Sequence, residues 1–122
     1  MADITATPGE GIFEVHGHGT TTGSSFVRIA GITMTASERV ARIKGEAIDD
    51  QGNRWQVWAV GEVDPETSEF HLLSSSEDSS RIQITSNITT ASNRIELSVA
   101  GLSGSGSETF WRGWLQADVR YL

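Results

Sequence analysis

The sequence predicts an all-β fold: an antiparallel β-sandwich or jelly roll of about eight strands, preceded by a short arm. Three observations carry this. Apolar residues recur with a period of two along nearly the whole chain, the strand signal. Turn residues interrupt the pattern at short, even intervals, as they do in sandwiches and barrels. No stretch of useful length shows the period of a helix.

Residues 1–10 are polar, contain Pro8-Gly9, and read as an arm that needs a partner to become ordered. The domain is expected over 11–122. Its first strand covers 11–18, with Phe13 and Val15 on one face, and is broken by Gly17, Gly19 and Thr20-Thr21-Thr22. The second covers 25–35, with Phe26, Ala30, Ile32 and Met34 on one face and Val27 and Ile29 on the other. The third covers 39–49, where Ala41, Ile43, Gly45 and Ala47 alternate with Arg42, Lys44 and Glu46. Such alternation marks a strand with one wet face.

Asp50-Gln51-Gly52-Asn53 supplies side-chain caps and positive φ for a tight turn. The chain returns over 54–63, with Trp55, Val57, Ala59 and Val63 set against Arg54, Gln56 and Glu62, so 39–63 is a long hairpin. Asp64-Pro65-Glu66-Thr67 is a further turn, Pro pre-setting φ. A short strand over 69–74 leads into a solvated Ser/Glu/Asp loop at 74–80. Residues 81–88 and 94–101 are two more strands, the second with Ile95, Leu97 and Val99 inside and Arg94, Glu96 and Ser98 outside, joined by a turn over 89–93. After a flexible Ser/Gly connection at 102–107, the last strand spans 108–122, with Trp111, Leu115, Ala117, Val119 and Tyr121 on one face.

Composition narrows the function classes. The chain has 122 residues, enough for one domain. The absence of Cys removes disulfides, zinc ribbons and thiol catalysis. A formal net charge of −7 argues against nucleic acid or an anionic membrane as partner. No apolar run approaches the roughly 20 residues of a membrane span, and no signal-peptide pattern opens the chain. A product made in the cytoplasm with no encoded export is the expectation.

No motif points to catalysis or to a cofactor. His16 and His18, two apart on a strand, share a face in a ligand-compatible way, but a third metal ligand would have to come from His71 or scattered carboxylates. Exposed or interface histidines are the simpler reading, and no metal is assigned. Residues 101–105 miss the G-x-S-x-G nucleophile elbow by one position. The Gly17–Gly23 region lacks the Lys-Ser/Thr ending of a phosphate loop. Residues 49–53 have calcium-like side chains but are too few for a calcium loop. Asn87-Ile88-Thr89 fits the glycosylation sequon without a signal for export. The carboxylates Glu62, Asp64, Glu77 and Asp78 lack an apolar surround that would separate their pKa values.

The tryptophans divide by face. Trp55 and Trp111 fall on apolar faces and are expected in the core, whereas Trp58 and Trp114 fall on polar faces. A large aromatic there is covered by another chain or forms a binding platform. Trp58, Trp114, Phe110 and Arg112 are therefore the candidate subunit interface or surface platform.

The C-terminal third, an alternating strand over 93–101, a Gly/Ser segment over 102–107 and a Trp-containing final strand, follows a Thr-rich entry at 19–22 and a long charged hairpin. In pattern and order, residues 17–122 resemble an all-β structural domain of tailed-phage virion proteins, found at tail-fibre ends and in head-associated proteins. That resemblance implies a trimeric (homotrimer) or otherwise oligomeric structural module assembled on a virion, and carries over no catalytic residue. It leads to a capsid decoration (cement) protein that binds the assembled head and the major capsid protein, with Ile4, Thr5 and Pro8 of the arm as capsid-binding residues. The alternative is a tail-fibre or baseplate tip module binding a host surface glycan. A small barrel enzyme is disfavoured by the lack of converging polar residues.

Overall fold

The computed structural model describes residues 2–6, 11–34, 39–63, 70–77, 81–88, 93–101 and 108–121. Among them are nine strands: β1 (Ala2–Ala6), β2 (Gly11–Thr21), β3 (Val27–Met34), β4 (Arg39–Asp49), β5 (Arg54–Val63), β6 (Phe70–Glu77), β7 (Ile82–Ile88), β8 (Asn93–Val99) and β9 (Thr109–Tyr121). They form two sheets, β1-β3-β8-β7 and β2-β9-β4-β5-β6, with every pairing antiparallel except β1 with β3. This is the expected β-sandwich. The expected turn at 64–67, the connection at 102–107 and Pro8 lie outside the described residues, as does the expected turn at 89–93 except for Asn93, which opens β8.

The hairpin over 39–63 has the predicted boundaries, and its register runs from Ile48↔Arg54 to Val40↔Glu62. Its turn is held by Asp49, whose Oδ1 accepts from the amides of Gln51 (3.0 Å) and Asn53 (2.9 Å). Gly52 supplies a φ of 82°, a conformation other L-residues enter at a cost of about 1 kcal/mol or more. The calcium-like residues of this segment are thus turn caps.

The core lies between the sheets. Cross-strand rows on the inner face of the larger sheet run Phe13–Ala117–Ile43–Ala59, Val15–Leu115–Gly45–Val57 and Gly17–Gly113–Ala47–Trp55. Large residues in one row stand beside small ones in the next, which lets Ile29, Ile32, Ile82, Ile95 and Leu97 of the facing sheet interdigitate. The closest approach is at Gly17. A Cβ added there would overlap the carbonyl oxygen of Ile29, and one added at Gly113 would stand 2.9 Å from the Ile29 Cδ1.

Three details differ from the alternation read in sequence. The β3–β8 register shifts between Arg28 and Ala30, so a bulge at Ile29 turns that side chain into the core together with Ala30 and Ile32 instead of opposite them. On β8, Glu96 and Ser98 are buried where a wet face was expected. Arg28 Nη1 donates to Glu96 Oε1 at 3.1 Å, and Glu96 Oε2 has no hydrogen-bond partner among the described residues. Finally, residues 2–6 of the expected arm form β1, pairing from Ala2↔Ala30 to Ala6↔Met34. The physical reason is that β3 otherwise presents an open edge of amides and carbonyls, which even a five-residue strand can satisfy.

One end of the sandwich is closed by a polar and aromatic cluster. Arg81, just before β7, lays its guanidinium 4.7 Å from the Trp55 ring centroid and 4.9 Å from that of Trp111. Its Nη1 is 3.6 Å from Asp49 Oδ2 and its Nε donates to the Ala100 carbonyl at 3.2 Å. Trp111 Nε1 donates to Thr21 Oγ1 at 3.0 Å.

Two stability outcomes follow. Gly17→Ala is expected to cost about 3 kcal/mol, because backbone must move, against about 1 kcal/mol for Gly52→Ala. Equal shifts in the denaturation midpoints of the two variants would contradict that close approach. Arg81→Ala leaves the Asp49 carboxylate buried without its cation and is expected to cost about 3 kcal/mol, read by urea denaturation.

Candidate functional site

The residues expected to form a platform come together on the outer face of the five-stranded sheet. The side chains alternate, so the residues that do not enter the core rows stand on this face of β2, β9, β4 and β5. Register then sets their neighbours: Glu14–Gln116–Lys44–Trp58, His16–Trp114–Glu46–Gln56 and His18–Arg112–Ile48–Arg54. Phe110 lies beyond, opposite Thr20. Trp58 is 52% exposed and Phe110 56%, whereas Trp114 is half-buried and Trp111 lies in the core.

The face is grooved. A hollow of about 440 Å³ is lined by His16, His18, Glu46, Ile48, Arg112 and Trp114. A second, of about 630 Å³, shares His18, Ile48 and Arg112 and reaches Phe110 and Asp50, whose Oδ2 accepts from the Phe110 amide at 3.2 Å. A third, of about 350 Å³, joins Trp114 to Trp58 past Lys44 and Gln56. One interrupted channel therefore links the four residues singled out in sequence. Sequence reading missed Glu46, Ile48 and Gln56 as members, although their positions on the wet side of the 39–63 hairpin were the available signal.

Three acids of the face, Glu46, Glu14 and Asp118, are engaged locally. Glu46 Oε2 accepts from Arg54 Nη2 at 2.8 Å and from Gln56 Nε2 at 3.0 Å. The hydrogen bond from Gln56, then that from Arg54, holds its carboxyl below the ordinary value of 4.5, against the opposing effect of burial. Glu14 pairs with His16 Nε2 at 2.8 Å and accepts from Gln116 at 3.1 Å. Arg120 Nε and Asp118 Oδ1 form an ion pair at 3.0 Å without hydrogen-bond alignment. Arg42, Lys44 and Arg112 have no ion-pair or hydrogen-bond partner among the described residues.

His16 and His18 do share the outer face of β2, but no group of three His, Cys, Asp or Glu that could hold a metal occurs among the described residues. The arm residues Ile4 and Thr5 lie in β1, in register with Ile32 and Thr33.

No protein-family model matches the chain, and no curated protein does. Among solved structures, the chain is similar to the tailspike protein of Acinetobacter baumannii phage AM24, with a TM-score of 0.44 and 9% identity over 88% of this chain. It spans 26% of that protein's length.

Glu46 gives a pH prediction. A depressed native pKa stabilises the fold above the unfolded value, and that contribution is lost as pH falls through the native one. Gln56→Leu is therefore expected to raise the Glu46 pKa and to weaken the acid dependence of stability below 4.5. Carboxyl NMR titration of both proteins checks it; an unmoved Glu46 resonance would count against the assignment.

Proposed function

We propose that this chain is a structural protein of a tailed-phage virion, specifically a capsid decoration protein that binds the assembled head as an oligomer and acts without catalysis. One observation carries the binding half of this reading: the outer face of the larger sheet presents Trp58, Phe110 and Ile48 to solvent, with Trp114 half-buried among them. The opposite face of that sheet already supplies the core, so the exposed Trp58, Phe110 and Ile48 add little to the fold of a lone copy. Aromatic residues and Arg are enriched where protein surfaces meet. The virion setting rests on the resemblance of residues 17–122 in pattern and order to the all-β domain of tailed-phage virion proteins.

The mechanism is mass action. A protein that binds only the assembled shell stabilises it by RT ln(1 + [L]/Kd) per site, and several weak contacts per oligomer add avidity. The arm enters as an exchangeable strand. β1 is short and sits at a sheet edge, so its backbone pairing could be traded for the same pairing on a capsid neighbour at little cost in hydrogen bonds.

A second reading, a tail-fibre or baseplate tip binding a host glycan, is favoured by the channel that sets Trp114 and Phe110 on either side of Arg112. Copy number separates the two. Hundreds of copies per virion by quantitative gel support decoration, whereas a few copies support a fibre tip. Deletion of residues 1–10 is expected to abolish binding to empty heads while leaving a cooperative unfolding transition. Wild-type occupancy by the truncated protein would end the arm mechanism.

A further inference from the structure

We propose that the free edge of β2 pairs with β2 of a second copy of this chain, antiparallel about a twofold axis at His16, joining the two larger sheets into one. The inference rests on the oligomeric reading above and adds which part of the chain meets its copy. Among the described residues, four strands stand at sheet edges: β1, β7, β2 and β6. β1 has five residues, β7 seven and β6 eight, and the β5–β6 ladder carries a register shift. β2 has eleven, runs in unbroken register against β9 from Gly11 to Thr21, and holds no Lys, Arg or Pro. Short length, bulges, Pro and Lys are devices that keep an edge from pairing. β2 shows none of these four, and no other described residue hydrogen-bonds its backbone along the outer edge.

The side chains of this edge complement themselves. Copies related by a twofold axis perpendicular to the sheet keep outer side chains opposite outer ones, so only registers of one parity are open. Among them, a centre at His16 pairs the whole strand, from Gly11 opposite Thr21 to Thr21 opposite Gly11. It sets Glu14 opposite His18 of the second copy, twice by symmetry, and Ile12 opposite Thr20. Glu14 accepts from its own His16 at 2.8 Å on one oxygen and from Gln116 at 3.1 Å on the other, and each oxygen keeps a second lone pair. His18 has no hydrogen-bond or ion-pair partner among the described residues. On the inner side Phe13 faces Gly19 and Val15 faces Gly17, a large residue against none. Centring on Gly17 instead sets His16 against His18, and centring on Val15 leaves Thr20 and Thr21 unpaired. Pairing along all of β2 exchanges about ten main-chain hydrogen bonds, the number a whole standard interface carries. Ile12, 63% exposed, acquires a cross-strand neighbour. An unrelated extended segment would satisfy the backbone but not this matching of side chains.

The chain contains no Cys, so single cysteines placed in the full chain read the register directly. Residues directly opposite in an antiparallel pair have Cα atoms about 4.5 or 5.5 Å apart, within the span of a disulfide. His16→Cys is expected to give a disulfide-linked dimer under mild oxidation. Glu14→Cys and His18→Cys should each remain single chains on a denaturing gel, whereas the two mixed should cross-link to each other. Sedimentation of the wild-type chain over a concentration series should show a monomer–dimer equilibrium. Glu14→Lys, at an exposed site, should weaken the dimer roughly tenfold, since two cross-strand pairs are lost. Adding His18→Glu to that variant should restore association. A wild-type chain that stays monomeric, or that sediments as a trimer, overturns the proposal. So does Glu14→Cys cross-linking as fast as His16→Cys, or a dimer indifferent to Glu14→Lys. A monomer that still coats heads would overturn the β2 pairing while leaving the decoration reading standing. A low copy number on the virion would do the reverse.

Discussion

The two sheets meet through backbone at Gly17, and most of the architecture is arranged around that contact. The bulge at Ile29 pushes its carbonyl toward the larger sheet, where only a residue without Cβ leaves room. The same row continues through Gly113 and Ala47, so three strands are hollowed together. Close packing forbids leaving a void in the adjoining rows, which are filled by Leu115 and Val57 on one side and Trp111 on the other. Where the tryptophans make the sandwich thick, Arg81 crosses from the smaller sheet and is held by two rings and a buried carboxylate. A charged side chain in such a place is tolerable because Asp49 is itself fixed by its turn amides.

That packing decides what is left for function. With small residues and aromatics committed to the inner face, period-two geometry sends their sequence neighbours outward. Trp111 inside places Phe110 and Arg112 outside, and Gly113 inside places Trp114 outside. The platform is therefore supported by the most closely packed part of the core. Its side chains stand on four hydrogen-bonded strands, a more precise mount than a loop. Ion pairs such as Arg54–Glu46 and Arg120–Asp118 add little stability at a wet surface, but they set which charges remain open.

Much of this was legible in the sequence because alternation is a local signal. The hairpin over 39–63 combined strict period two with Asp-Gln-Gly-Asn turn chemistry, and both its boundaries and its faces were readable. The separation of Trp55 and Trp111 from Trp58 and Trp114 followed from the same parity. Parity failed where a non-local contact overrode it. The bulge at Ile29 inserts one residue into the count, and nothing in Val27-Arg28-Ile29-Ala30 announces it, since Ile and Ala are apolar on either face. Glu96 and Ser98 look like a wet face because sequence shows polarity but not what covers it. β1 was missed although Ala2, Ile4 and Ala6 alternate with Asp3 and Thr5, because five residues are a short signal and its pairing depends on the edge of β3. The Arg81 cluster draws on β2, β4, β5 and β9 and has no sequence signature at all.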